Sequence, residues 1–227
     1  EIYRQLRDLS PTYFGGYFNC GDFQIVSSSP ERFLSLRGKK VETQPMKGTR
    51  PRGENPRLDH LNRKELWQSV KDQAELLMIT DLERNDLGKV CSYDSIRVRH
   101  LRQIEEYATV FQTTATVEGK LHQDKDRIDL LRACFPGGSI TGCPKIRAME
   151  IIEELEPKRR GIYTGCLGYL SFSGDMDFNI LIRTILKKGT VVSFGVGGGI
   201  VADSVPEKEY QETLVKAKAM REAINSL

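Results

Sequence analysis

The sequence predicts an α+β fold whose strands pair antiparallel. Short runs of aromatic and β-branched residues, broken by glycines and by the turn Asn19–Asp22, indicate strands early in the chain, and similar runs return near its end. Stretches with apolar residues at helical spacing lie between these two groups. A regular alternation of strand and helix, which would predict a parallel sheet, is not apparent. We therefore expect antiparallel strands with helices grouped around them.

The first half of the chain is predicted to contain four strands and two helices. Glu1–Arg7 resembles the end of a helix and has no cap, which favours a fragment of a longer protein. Gln44–Gly53 is predicted as an ordered loop, because its prolines disfavour helix at the residues before them. Pro56 to about Asn85 is predicted as one helix, with Leu66, Val70, Ala74, Leu77 and Asp81 along a core-facing stripe. The predicted strands are Gly16–Phe18, Phe23–Ser28, Arg32–Leu36 and Lys40–Thr43.

The second half is predicted to alternate between extended segments and three helices. The helices are expected at Asp126–Ala133, after Pro144, and at Pro206–Ile224, and the segment Phe135–Pro144 reads as a compact glycine-rich loop. The extended segments are Ile96–Leu101, Val110–Glu118, Gly165–Ser173, Phe178–Lys187 and Thr190–Val201.

Composition excludes several classes of function. The 227 residues carry 34 Lys and Arg against 31 Asp and Glu, and no basic stripe with interleaved aromatics indicates nucleic acid as a partner. No apolar run has transmembrane length, so we expect no membrane partner. The five cysteines are odd in number and lack a Cys-x-x-Cys pair, which favours free thiols in a reducing cytoplasm. One catalytic domain over residues 1–227 is predicted.

Two residues in the first half could perform catalysis. Lys47 lies beside a Gly-Thr turn, where a lysine is either a plain surface charge or a nucleophile held next to a binding turn. Glu31 follows one strand and precedes another. It is either an ordinary turn glutamate or, if burial raises its pKa, a general acid.

The second half offers groups suited to an anion and to a metal ion. Glu209, Glu212 and Lys216 share one face of the final helix. The two carboxylates either bind Mg²⁺, which prefers hard oxygen ligands, or form an exposed acidic helix start. Gly197–Gly199 and the loop that contains Thr141 could present backbone N–H groups to an anion, although a bulge or tight turn would also explain the glycines.

Arg183 interrupts a nearly continuous apolar run in Phe178–Lys187. An arginine among buried neighbours needs an anionic partner. A ligand carboxylate and an internal salt bridge are equally compatible with the sequence.

Together, six ordered segments resemble the chorismate-utilising enzymes, and the resemblance spans essentially the whole chain. The family fold, by this resemblance, is a sandwich of two packed, largely antiparallel sheets with helices outside. The resemblance also implies that the family's catalytic domain begins before Glu1. We therefore expect unpaired strand edges near Phe23–Ser28, and either self-association through them or a second polypeptide that carries the missing strands. The segments are Ser28–Phe33, Pro45–Pro51, Met78–Gly88, Phe135–Lys145, Gly197–Ser204 and Glu209–Thr213.

The resemblance implies a role for each matching residue. Lys47 is implied as the nucleophile and Glu31 as the general acid. The Mg²⁺ ligands implied are Glu75, Glu209 and Glu212, and the metal would hold the ring carboxylate of chorismate. The contacts implied for the enolpyruvyl carboxylate are Arg183, Tyr163, Gly197, Gly198 and Gly199. Further substrate contacts implied are Gly48, Thr49, Thr141 and Lys216.

Lys47 also indicates a branch of the family. Anthranilate synthases usually have alanine at this position, whereas aminodeoxychorismate synthases, which aminate chorismate at C4, have lysine. This resemblance implies ammonia supplied by a class I glutamine amidotransferase partner. Gln112 occupies the position of a frequent family histidine, and an amide cannot carry a proton there. The alternatives are an anthranilate-type synthase and, in another class, a silent fragment that only binds chorismate and Mg²⁺.

Overall fold

A computed structural model describes residues 1–226 and confirms the α+β class. These residues form two largely antiparallel sheets and six α-helices. The helices are α1 (Ile2–Leu9), α2 (Pro56–Gln68), α3 (Val70–Gly88), α4 (Arg127–Cys134), α5 (Lys145–Leu155) and α6 (Pro206–Asn225). The strands are β1 (Phe14–Asn19), β2 (Phe23–Ser29), β3 (Arg32–Arg37), β4 (Lys40–Gln44), β5 (Met46–Pro51), β6 (Arg97–Glu106), β7 (Val110–Lys120), β8 (Cys166–Leu170), β9 (Met176–Ile180), β10 (Thr184–Lys188) and β11 (Val191–Phe194).

The chain divides into two compact units, and each is described separately below. The terminal unit contains Glu1–Pro30, Arg160–Cys166 and the residues from Ile180 onwards. The central unit contains Glu31–Arg159 and Leu167–Asn179.

The terminal unit is built on a four-stranded antiparallel sheet. Its strand order is β1-β2-β10-β11, with Val26 of β2 opposite Ile185 of β10. Helices α1 and α6 pack on this sheet. Because β2 is paired on both sides, the predicted unpaired edge at Phe23–Ser28 is wrong, and β1 is an edge strand of this sheet. The buried core consists of Ile2, Leu6, Val26, Ile185, Met220 and Ala223.

The central unit is built on a seven-stranded sheet around the long strand β7. Strands β4 and β5 follow one another along one edge of β7, and β6 pairs with its other edge. Pro45 separates β4 from β5, yet its carbonyl still accepts a hydrogen bond from the Ala115 N–H, at 3.0 Å. The path continues through β3, β9 and β8. The predicted loop Gln44–Gly53 is thus mostly strand β5, because a proline is tolerated where the ladder does not need its N–H.

The long helix predicted from Pro56 is two helices that meet at Ser69. Ser69 leaves the helical conformation with ψ of 108°, and its hydroxyl accepts a hydrogen bond from the Asp72 N–H as the N-cap of α3. The break changes the helical phase, so the predicted stripe is wrong after Leu66. Val70 is 78% exposed, whereas Leu76 and Ile79 are buried.

The predicted strand Phe178–Lys187 is also interrupted. Its residues form β9 and β10, which belong to different sheets, and residues 181–183 leave regular structure between them. The predicted strand Thr190–Val201 ends at Phe194, after which the glycine-containing segment 195–205 is irregular. A continuous apolar run cannot reveal where a chain passes from one sheet to the next.

Candidate active site

The predicted site residues fall into two groups, one in each unit. The central unit holds Glu31, Lys47, Gly48, Thr49, Glu75 and Thr141. The terminal unit holds Tyr163, Arg183, Gly197, Gly198, Gly199, Glu209, Glu212 and Lys216. The geometry of each group follows on its own.

Lys47 in the central unit is held at both its main chain and its side chain. It lies on β5 opposite Thr113 of β7, whose hydroxyl donates to the Lys47 carbonyl. The Lys47 ammonium donates to the Ser139 carbonyl at 3.1 Å. Ser139 belongs to a short 3₁₀ turn, Gly138–Ile140, inside the predicted glycine-rich loop. The structure therefore brings the lysine to this loop, and the lysine is half-buried there.

Gly48 is required by the turn that carries Lys47. The β5–β7 register shifts between Lys47 and Thr49, and Gly48 has φ of +74°. A Cβ at this position would lie 2.9 Å from Asp72 Cγ and 2.9 Å from Leu66 Cδ1. Only glycine accommodates both the left-handed backbone and this close approach of α2 and α3.

Thr49 and Gln112 are hydrogen-bonded to each other. The Gln112 side-chain N–H donates to Thr49 Oγ1 at 3.2 Å, and Gln112 is only 4% exposed. Its buried Oε1 has no hydrogen-bond partner among the residues that the structure describes. Gln112 thus presents an unused acceptor beside a predicted substrate contact.

Thr141 belongs to a loop that is tied down from inside the unit. Its hydroxyl donates to the Gly137 carbonyl at 2.9 Å. The Lys145 ammonium pairs with Asp86 of α3. It also donates to the carbonyl of Cys134, the last residue of α4, at 3.0 Å and to that of Pro136 in the loop at 2.6 Å. Sequence reasoning missed Lys145, although a lysine directly after Pro144 at a helix start is a usable signal. The role of Thr141 in binding substrate stays a prediction.

Glu31 is buried, with 5% of its surface exposed, in the link between β2 and β3. The charge of Glu31 acts on a second buried carboxyl group, that of Glu83 on α3. Burial, with added repulsion from Glu31 and Asp86, raises the pKa of Glu83 to about 8, and the Thr43 hydroxyl and Lys145 oppose this rise. Sequence reasoning missed Glu83, although it directly follows Leu82 on a helix face that also buries Asp86 and Leu87.

Glu75 lies on α3 with a side chain 13% exposed. The Lys71 ammonium lies 3.8 Å from it, one turn earlier. Nothing in the central unit distinguishes a metal-binding role for Glu75 from a helix-surface ion pair, so the predicted role stays a prediction.

In the terminal unit, Gly197 and Gly198 lie against the face of α6 that carries Glu209, Glu212 and Lys216. A Cβ on Gly198 would lie 3.4 Å from Glu209 Oε2 and 3.7 Å from Glu212 Oε1. The Lys216 ammonium pairs with Glu212 at 2.6 Å and donates to the Gly197 carbonyl at 3.1 Å. Glu209 is buried and accepts a hydrogen bond from the Ser204 hydroxyl at 2.7 Å. Two carboxylates and an ammonium thus face one stretch of bare backbone.

Tyr163 joins the same cluster. A Cβ on Gly195 would lie 2.4 Å from the Tyr163 ring, and one on Gly197 would lie 3.0 Å from its hydroxyl. The phenol therefore runs along the glycine segment, with which the resemblance had also grouped it. Gly195 was missed because it lies inside what was predicted to be a strand.

Arg183 occupies the break between β9 and β10 rather than a strand. Its φ is +49°, a left-handed conformation that costs a non-glycine residue roughly 1–2 kcal/mol. Its carbonyl accepts the Ser28 N–H at 3.1 Å. Strained backbone of this kind clusters at functional sites. The predicted contact of Arg183 with a carboxylate stays a prediction.

The residues of the terminal unit are chemically suited to Mg²⁺. Glu209 and Glu212 supply two hard carboxylates, the number of protein ligands that Mg²⁺ commonly takes. Among residues 1–226, no group of three or more His, Cys, Asp and Glu side chains is arranged to hold a metal ion. The Mg²⁺ site stays a prediction. Over the same residues, no helix has the length and apolar character that crossing a membrane requires.

The fold and these segments place the chain in a defined class of protein. It belongs to the family of chorismate binding enzymes, which matches residues 1–222. It is 46% identical over 224 residues to aminodeoxychorismate synthase component 1 of Bacillus subtilis (strain 168), covering 99% of this chain and 48% of the relative. It is 45% identical over 224 residues to anthranilate synthase component 1 of Aquifex aeolicus (strain VF5), covering 99% and 45%.

A solved structure shows the same relationship. The crystal structure of anthranilate synthase component I from Streptococcus pneumoniae TIGR4 superposes with a TM-score of 0.87 and 38% identity, over 96% of this chain and 48% of that one. The chain thus spans about half the length of these relatives. Identity alone does not separate the aminodeoxychorismate synthase from the anthranilate synthases.

Proposed function

We propose that this chain is the catalytic part of an aminodeoxychorismate synthase, which converts chorismate and ammonia to 4-amino-4-deoxychorismate and water. The observation that carries the proposal is the position of Lys47. It is half-buried on β5, its ammonium lies 3.1 Å from the Ser139 carbonyl, and it shares the central unit with the buried Glu31. Its side chain is held by the Ser139 carbonyl, and its own carbonyl accepts a hydrogen bond from the Thr113 hydroxyl. A lysine that only adds surface charge does not need both contacts.

Lys47 acts in the proposed reaction as a covalent nucleophile. Its neutral amine attacks C2 of chorismate, the ring double bonds shift, and the C4 hydroxyl leaves as water with the proton supplied by Glu31. Ammonia then attacks C4, the double bonds shift back, and the lysine leaves from C2. The surplus proton of the added ammonia returns to the carboxylate of Glu31. Two displacements thus place nitrogen at C4.

Glu31 must hold a proton before the first displacement. Glu31 is buried, with 5% of its surface exposed. Lys47 must instead be a neutral amine before it can attack. A glutamate and a lysine are the residue types that these two opposite proton tasks require.

We propose binding roles for the second group of residues. Glu209 and Glu212, together with Glu75, would hold Mg²⁺, and the bound ion would supply positive charge to the ring carboxylate. Arg183, Tyr163 and the Gly197–Gly199 backbone would bind the enolpyruvyl carboxylate, which requires hydrogen-bond donors. Gly48, Thr49, Thr141 and Lys216 would complete the contacts. The ammonia would come from a glutamine amidotransferase subunit.

Anthranilate synthesis is the second candidate, because anthranilate synthases are among the most similar relatives. Such an enzyme needs no lysine nucleophile, since ammonia attacks C2 directly. Lys47 therefore argues against this candidate.

A covalent adduct distinguishes the two candidates. Chorismate and Mg²⁺ are incubated with the chain without ammonia, the reaction is quenched, and the modified peptide is mapped by mass spectrometry. We expect the adduct on Lys47, and none in Lys47→Ala or in Lys47→Arg, which keeps the charge but lacks the nucleophilic amine. An adduct elsewhere, or turnover with ammonia but no adduct without it, contradicts the proposal.

A further inference from the structure

A buried hydroxyl in the central unit has two partners but only one proton. Thr43 Oγ1 lies 2.7 Å from the Phe33 carbonyl oxygen and 2.7 Å from Glu83 Oε2. Thr43, Phe33 and Glu83 are all at least nine-tenths buried. A hydroxyl donates a single hydrogen bond, and a carbonyl can only accept. When Thr43 donates to Phe33, the contact with Glu83 is satisfied only if Glu83 is the donor, and this requires a protonated carboxyl group.

The surroundings of Glu83 also favour the protonated form. A cavity of about 10 Å³ beside it, lined by Thr43 and Asp86 among others, has room for at most one water molecule. Solvent therefore does little to stabilise a charge. The ionisable groups that act on Glu83 are Glu31 and Asp86, which raise its pKa, and Lys145, which lowers it, while Glu83 in turn raises the pKa of the Cys134 thiol. Burial has the largest effect, a hydrogen bond with the Thr43 hydroxyl lowers the pKa, and the balance of all these influences raises the pKa of Glu83 to about 8.

The Phe33 carbonyl belongs to an irregular part of the sheet next to Glu31. The register of β3 shifts between Arg32 and Ser35 against β4, and between Arg32 and Leu34 against β9. The Thr43 hydroxyl replaces part of the regular ladder here by bonding to Phe33. This irregular part of β3 begins at Arg32, directly after Glu31. The hydrogen bond from Thr43 to the Phe33 carbonyl therefore affects the position of Glu31.

We propose that Glu83 is a neutral carboxylic acid that positions Glu31, because its proton leaves the Thr43 hydroxyl free to hold the Phe33 carbonyl. When Glu83 ionises, it becomes an acceptor only, and Thr43 must turn its proton from Phe33 to Glu83. The irregular segment then loses its hydrogen bond. The protonation state of Glu83 thus determines the position of Glu31. The part concerning Glu31 rests on its proposed role as the general acid.

The protonation of Glu83 is tested by unfolding and needs no enzymatic activity. Urea unfolding of the chain is followed by the fluorescence of Trp67, the single tryptophan, for the wild type and Glu83→Gln between pH 5 and 9. A carboxyl whose folded pKa is raised contributes stability below its unfolded pKa and loses it as pH rises through about 8. The quantity to follow is the equilibrium constant for unfolding of the wild type divided by that of Glu83→Gln. As pH rises from the ordinary pKa of 4.5 towards about 8, this ratio should increase by up to about tenfold per pH unit. A ratio that stays constant with pH overturns the proposal.

Positioning of Glu31 is tested by the pH profile of kcat/KM with chorismate and ammonium. Dividing the Glu83→Gln profile by the wild-type profile removes the titration of ammonia itself, which is common to both. We expect this ratio to rise through the pH region of the Glu83 ionisation, reaching up to about tenfold one pH unit above it. Glutamine can donate to Thr43 as the neutral acid does but cannot ionise. A flat ratio, in spite of a pH-dependent unfolding ratio, overturns the link to Glu31.

Thr43 supplies a matched pair of variants. Thr43→Ser keeps the hydroxyl, whereas Thr43→Val keeps the shape and removes it. Below the pKa of Glu83, we expect Thr43→Val to lose kcat relative to the wild type and Thr43→Ser to keep it, and equal kcat in both variants there would overturn the role of Thr43. If the wild type turns over no chorismate at any pH while the unfolding ratio changes with pH, then the proposed function fails and the protonation of Glu83 stands.

Discussion

Gly48→Ala should destabilise the central unit more than a matched glycine substitution does. Gly48 and Gly38 both have left-handed backbones, with φ of +74° and +59°. They differ in their surroundings. A Cβ on Gly48 would lie 2.9 Å from Asp72 Cγ, whereas a Cβ on Gly38 would have no atom within 4 Å. The pair therefore separates backbone strain from close approach.

The magnitude follows from these two terms. A left-handed alanine costs roughly 1–2 kcal/mol in both variants. Overpacking adds about 1–3 kcal/mol at Gly48 alone. The neighbours there cannot move cheaply, because Leu66 is 0% exposed and the Asp72 carboxylate is held 3.3 Å from Arg50. We expect a loss of about 2–5 kcal/mol for Gly48→Ala and about 1–2 kcal/mol for Gly38→Ala. The entropy that glycine contributes to the unfolded state is common to both and cancels in the difference.

Urea unfolding followed by Trp67 fluorescence measures this difference. Trp67 lies next to Leu66 on α2, so it reports on the central unit. Equal losses in the two variants would show that α2 and α3 do not approach the Lys47 turn as closely as the structure has them, and the account of why Gly48 is glycine would be refuted.

Three further predictions concern the metal, acid stability and assembly. Glu212→Ala should weaken Mg²⁺-dependent chorismate binding by calorimetry, whereas Glu222→Ala on the same helix should leave it unchanged, and equal binding in both would reject the metal assignment. The hydrogen bond from Arg52 lowers the pKa of Asp59 to about 2. The ionised Asp59 therefore stabilises the fold above its ordinary pKa of 3.8, and this stabilisation is lost as pH falls through about 2. Asp59→Asn should therefore lose the acid-sensitive part of unfolding below pH 4, and an unchanged acid transition contradicts this. The exposed edge of β1 should allow self-association at high concentration, and light scattering that shows only monomer would disprove it.

Most strands could be predicted from the sequence because their signals are local. Phe23–Ser28 and Lys40–Thr43 were predicted almost to the residue, since each is a short β-branched run between turn residues. Lys47 was placed in a loop because prolines flank it, yet β7 is long enough to pair across Pro45 and make the segment a strand. Pairing with a distant partner is not visible in the local pattern.

Part of the candidate site in the terminal unit could be predicted, because helical spacing is also a local signal. Helical spacing alone places Glu209, Glu212 and Lys216 on one face, and the structure sets that face against the glycines. Glu83 could not be assigned a role from sequence, because its character depends on one hydroxyl forty residues away and on the burial of α3. The positive φ of Arg183 was hidden too, since its neighbours read as an uninterrupted strand.

The product formed from chorismate tests the central claim most directly. The chain is incubated with chorismate, Mg²⁺ and ammonium, and the product is identified by mass spectrometry and chromatography, in parallel with Lys47→Ala. The account predicts 4-amino-4-deoxychorismate from the wild type and a loss of about 10²-fold or more in Lys47→Ala, as removal of a covalent nucleophile commonly gives. Anthranilate as the product, or equal formation of 4-amino-4-deoxychorismate by the two proteins, would contradict it.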